Sequence, residues 1–103
     1  MKKTILIISS LLLLLVGSYA LAAGDAAAGK NKVMACAGCH GNDGNSMVPS
    51  FPNLADVGEK YMTEQLRLIK SGDRVIMEMM GILDFSSDQD LQDMAAFYDS
   101  QNR

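Results

Sequence analysis

The stretch Met34-Ala35-Cys36-Ala37-Gly38-Cys39-His40-Gly41 holds both cysteines of the 103-residue chain and its only histidine. Ligands gathered this closely suit four chemistries: a disulfide, a redox dithiol, part of a metal site, or two thioether bonds to a haem. A thioredoxin-like dithiol needs a βαβ context, and no segment of this chain alternates convincingly between apolar and polar residues. Zinc would find three ligands here and no second Cys/His cluster to complete its tetrahedron. A disulfide suits an exported chain but leaves the adjoining histidine unexplained. The pattern C-x-x-C-H, the attachment signature of c-type haem, uses all three residues. Cys36 and Cys39 are spaced to bond the two haem vinyl groups, and His40 reaches the iron from the same turn. One covalent haem c is therefore expected.

The other face of the iron needs a ligand or stays open. A second histidine is excluded, which leaves methionine, and a His/Met pair raises the reduction potential. Met34, Met62 and Met94 fall on helical segments and read as core filler. Met47 follows His40 by seven residues, too few to pass round the haem edge. Met77, Met79 and Met80 stay open as candidates.

These residues must be positioned by a small domain. Lys2 and Lys3 precede an uncharged apolar run from Ile5 to Val16, followed by small residues up to Ala23, the layout of a secretory signal peptide. The run is short of the roughly 20 residues that span a bilayer. Residues 1–22 are thus expected to be a cleaved signal, and 23–103 one domain in the periplasm. The alternative is an uncleaved membrane anchor. Without Lys2 and Lys3, seven basic residues face twelve acidic ones, a net charge of −5. That balance disfavours nucleic acid and anionic membrane as partners and is compatible with a basic docking patch.

The helical signals make the fold class all-α. Gly24-Asp25 can cap a first helix that runs into the cysteine segment. Gly41-Asn42-Asp43-Gly44-Asn45-Ser46 must be a loop, and Pro49 and Pro52 extend the irregular stretch. A helix reads from Glu59 to Ser71, with Gly72 as its stop. The last helix carries Leu91, Met94, Ala95 and Tyr98 as an apolar stripe. Ser86 and Ser87 are its cap candidates, with Gln89 completing a capping box on Ser86. A domain this small needs a staple or cofactor to fill its centre.

The stretches GDAAAGK, CAGCHGNDGNS, PSFPNLA, EKYMTEQL and EMMGILDFSSDQDLQDMAAFY follow in order along residues 23–103, from Gly24 to Tyr98. Together they resemble a class I c-type cytochrome, the small bacterial mono-haem type similar to single domains of di-haem respiratory cytochromes. The resemblance implies a cytochrome c fold, three to four helices around one haem with the terminal helices crossing. It implies a non-enzymatic carrier of one electron on low-spin iron, with a redox donor and acceptor such as a terminal oxidase or dehydrogenase. The rivals are a haem-bearing subunit of a larger oxidase or dehydrogenase, and an open-site peroxidase or ligand sensor.

The same resemblance selects Met79 among the three methionines, because Glu78-Met79-Met80-Gly81-Ile82-Leu83-Asp84 matches the family frame. Met80 stands where similar chains often carry a small polar residue. Pro52, twelve residues past His40, is implied to offer its carbonyl to the axial histidine. Gly29 is implied to admit Phe97 or Tyr98 where the terminal helices cross, and Tyr61 and Gln65 are candidates to approach the haem propionates. Leu54-Ala55-Asp56-Val57 stands where similar chains often read Leu-Ala-Gly-Gln, so a turn glycine is missing.

Overall fold

A computed structural model describes residues 23–103; the expected signal peptide, 1–22, lies outside the described residues. Among the described residues there are four α-helices: α1 (Ala26–Lys30), α2 (Met34–His40), α3 (Glu59–Ser71) and α4 (Asp88–Asp99). A 3-10 turn covers Met77–Met79, and no strand occurs among the described residues. The class is all-α, as expected. Among the described residues no helix is long and apolar enough to cross a membrane.

The first helix starts where its cap dictates. The Asp25 carboxylate accepts from the backbone amides of Ala27 and Ala28, two donors that a helix start leaves without partners. It does not run unbroken into the cysteine segment, which corrects the expectation. The amides of Asn31 and Lys32 turn back to the carbonyls of Ala28 and Gly29. This closes α1 and frees Lys32 to reach α4, where its ammonium lies 2.8 Å from Asp90 and 2.6 Å from Asp93. After the break Val33 points inward and Met34 is 82 % exposed, so Met34 is not core filler.

Helix α3 spans the expected residues and stops at Gly72, whose φ of 85° is the left-handed conformation that glycine adopts without steric cost. It buries Met62, Thr63 and Leu66 and leaves Tyr61 outside. Helix α4 begins one residue later than the Ser86 box would have it. Ser87 caps the helix, with Asp90 reciprocating. Gln89 instead donates to Asp93. The whole stripe of Leu91, Met94, Ala95 and Tyr98 is buried, together with Phe97. Arg67 on α3 makes a bidentate pair with Asp88 at the start of α4 (2.6 and 2.8 Å).

Helices α1 and α4 cross at backbone contact. A Cβ on Gly29 would lie 1.9 Å from the carbonyl oxygen of Asp93 and 3.0 Å from the Cβ of Phe97. The glycine thus admits the α4 backbone itself and the stem of Phe97. Tyr98 lies elsewhere, against the loop. Gly24, read from the sequence only as part of a helix cap, plays a similar part at Gln92, with 2.1 Å to its carbonyl oxygen. The crossing is tied by Asp93, which takes the Asp25 amide at 2.8 Å in addition to Lys32 and Gln89.

Candidate haem site

Helix α2 is seven residues long, enough for Cys36, Cys39 and His40 to share one turn-and-a-bit of backbone. His40 is buried, Cys36 is half-buried and Cys39 is exposed. His40 Nδ1 lies 2.9 Å from the carbonyl oxygen of Pro52. A carbonyl can only accept, so Nδ1 carries the proton and Nε2 keeps its lone pair free for a metal. The ring of Phe51 meets the imidazole edge-on, with centroids 6.1 Å apart. Burial pushes the Cys36 thiol up from its ordinary value.

The loop after α2 is held by its own backbone. The carbonyl of Gly44 accepts from the amides of Leu54 (2.7 Å) and Ala55 (3.1 Å), which brings the proline segment back under the histidine. Asp56, the position without its expected glycine, sits at φ 55°. Aspartate tolerates this left-handed conformation better than most residues. Its amide donates to the carbonyl of Tyr98 at 3.1 Å, fixing the loop to α4.

These elements surround a cavity of about 240 Å³, walled by Cys36, Cys39, His40 and Pro52 on the α2 and loop sides. Leu54, Leu66, Ile76, Ile82 and Leu83 make much of the remainder apolar. Of the three methionines left open by the sequence, Met79 borders this cavity, whereas Met77 and Met80 are 71 % and 67 % exposed. Met62 and Met94 also border it, from α3 and α4, as members of the buried core. Met47 is fully on the surface. Tyr61 and Gln65 do not line the cavity, and Gln65 is held by Arg74 at 2.6 Å.

The donor set fits a c-type haem. Two sulfurs and an imidazole on one helix border an apolar cavity that a thioether reaches from another segment. Tyr98, expected from the sequence in a core stripe or at the Gly29 crossing, also lines the cavity. Its hydroxyl is buried with no hydrogen-bond partner among the described residues, and burial pushes the phenol far above its ordinary value.

Comparison with known proteins agrees with this geometry. A family model described as Cytochrome c matches residues 26–101. Cytochrome c4 of Pseudomonas aeruginosa is 52% identical over 96 residues, covering 93% of this chain and 48% of that protein. Cytochrome c-554(548) of Halomonas halodenitrificans is 38% identical over 82 residues, covering 77% of this chain and 99% of its own. A crystal structure of reduced recombinant cytochrome c4 from Pseudomonas stutzeri superposes with a TM-score of 0.76 at 50% identity, over 78% of this chain and 47% of that one. The chain spans about half the length of the cytochromes c4 that it matches.

Proposed function

The chain belongs to the cytochrome c family, and from that membership we propose that it is a periplasmic electron carrier with His40 and Met79 as axial iron ligands. The family's covalent haem c fits Cys36 and Cys39, and when bound it supplies a one-electron ferric/ferrous couple. The protein's residues do the rest. His40 offers Nε2 from a ring whose other nitrogen is committed to Pro52. Met79 offers a soft thioether that favours the ferrous state. Leu66, Ile82 and Leu83 line the cavity with apolar surface, which would raise the cost of the more charged ferric form. With His40 and Met79 both holding the iron, the bound haem would have no position left for oxygen or a substrate, which suits a carrier and not an enzyme.

The observation that carries this reading is the selective approach of Met79 to the cavity, while Met77 and Met80 face solvent. Residues 1–22 act in this account as a cleaved export signal, and the domain 23–103 works outside the inner membrane. Its partners are redox proteins, a donor and an acceptor among respiratory complexes. Carbon monoxide added to the ferrous protein tests the proposal. A carrier with two protein ligands leaves the spectrum unchanged at neutral pH. Rapid formation of a carbonyl adduct would instead indicate an open-site enzyme or sensor.

A further inference from the structure

Tyr98 is 2 % exposed, yet its hydroxyl finds no partner among the described residues. A buried hydroxyl in that condition is costly, and such groups ordinarily mark a missing partner or a functional role. The ring cannot swing the hydroxyl into water. A Cβ on Gly44 would stand 2.7 Å from its Cδ1, Phe97 packs against it with centroids 5.3 Å apart, and its backbone carbonyl holds the Asp56 amide. The side chain lines the cavity together with Cys36. Cys36 also packs against the buried cluster to which Tyr98 belongs.

The chemistry of the pair changes when the haem is attached. A thiol both donates and accepts weakly, so a phenol beside it has no preferred direction. A thioether has no proton and can only accept. We propose that Tyr98 is a positioning residue of the haem site, its O–H donating a hydrogen bond to the sulfur of Cys36 in the thioether state. The bond holds that sulfur at the porphyrin edge and draws electron density from it, which favours the ferrous form. This inference rests on haem attachment at Cys36, the premise of the functional reading.

The test is Tyr98→Phe in the holoprotein, which removes one oxygen and keeps the packing ring. Expected is a lower reduction potential, about a twofold change in the equilibrium constant for reduction, or ~18 mV at 59 mV per tenfold for one electron. The denaturant midpoint should fall as well, because a satisfied hydroxyl has been removed. An unchanged potential, or a midpoint that rises because an orphan has been relieved, overturns the proposal. On native protein alone, the thioether C–S vibration in the resonance Raman spectrum should shift in D₂O. No shift there also overturns it, so the result does not depend on the variant folding. Haem retained after denaturation in both proteins keeps the functional reading intact whichever way Tyr98 falls; haem lost from the native chain would sink that reading instead.

Discussion

Nδ1 of His40 and the carbonyl oxygen of Pro52 are 2.9 Å apart, across a twelve-residue loop. Hydrogen bonding of this kind fixes the imidazole's orientation and raises its basicity toward a metal. Pro52 contributes a carbonyl that any residue has, but its ring restricts the backbone that aims it. Pro52→Ala should therefore weaken the bond without deleting it. We expect a stability loss of about 0.4–1 kcal/mol through the freer unfolded chain, and a rise in reduction potential as the histidine becomes a poorer donor to ferric iron. Urea titration and potentiometry on the same sample check both. An unchanged potential would mean that the proline does not control the ligand.

Gly29 is where the two terminal helices touch. Its hypothetical Cβ is 1.9 Å from the Asp93 carbonyl oxygen, a backbone atom that cannot step aside. Alanine is the better helix former by up to about 1 kcal/mol, so propensity alone would make Gly29→Ala stabilising. The clash should win. The expected outcome is a net destabilisation of about 1–3 kcal/mol, typical of overpacking, read from denaturant unfolding of the holoprotein. A gain in stability would show that α1 can slide without cost.

Acid should loosen the same crossing. The Lys32 ammonium, with the Asp25 amide and Gln89, holds the Asp93 carboxyl at about 2, against an ordinary 3.8. Since the folded value is the lower one, the unfolded chain takes up the proton first as pH falls. The contribution is complete above about pH 4 and is lost progressively toward pH 2. Asp88, held at about 2 by Arg67, slopes the same way. Asp93→Asn should be less stable at neutral pH and flatter between pH 4 and 2, with a residual slope from Asp88. Equal slopes in the two proteins would remove Asp93 from the account.

Much of this was legible because the strongest signals were local. Helix α3 has glycine at both ends and a clear apolar face, and these mark its bounds, Glu59 to Ser71, in the sequence itself. The stripe on α4 is as plain, but its cap lies one residue later than expected: Ser86 and Ser87 are chemically alike, and the difference lies in Asp90 reaching back to the Ser87 amide. The break between α1 and α2 could not be seen locally. It accompanies the pairing of Lys32 with two carboxylates on α4, some sixty residues away. Once the chain turns there, Val33 replaces Met34 in the core. Asp93 does carry a local signal, a charge amid the apolar residues of the last helix, which requires a partner once buried. The close approach at Gly24 and the orphaned hydroxyl of Tyr98 became visible only with the packing.

The central claim is that one particular thioether completes the iron site, and a matched pair of substitutions measures it most directly. Met79 borders the cavity and Met80, its neighbour in sequence, is two-thirds exposed. Met79→Ala should lower the reduction potential, abolish the far-red charge-transfer band of the ferric protein and admit carbon monoxide to the ferrous form. Met80→Ala should leave all three as in the native protein. Equal effects from both, or an intact band in Met79→Ala, would contradict the account.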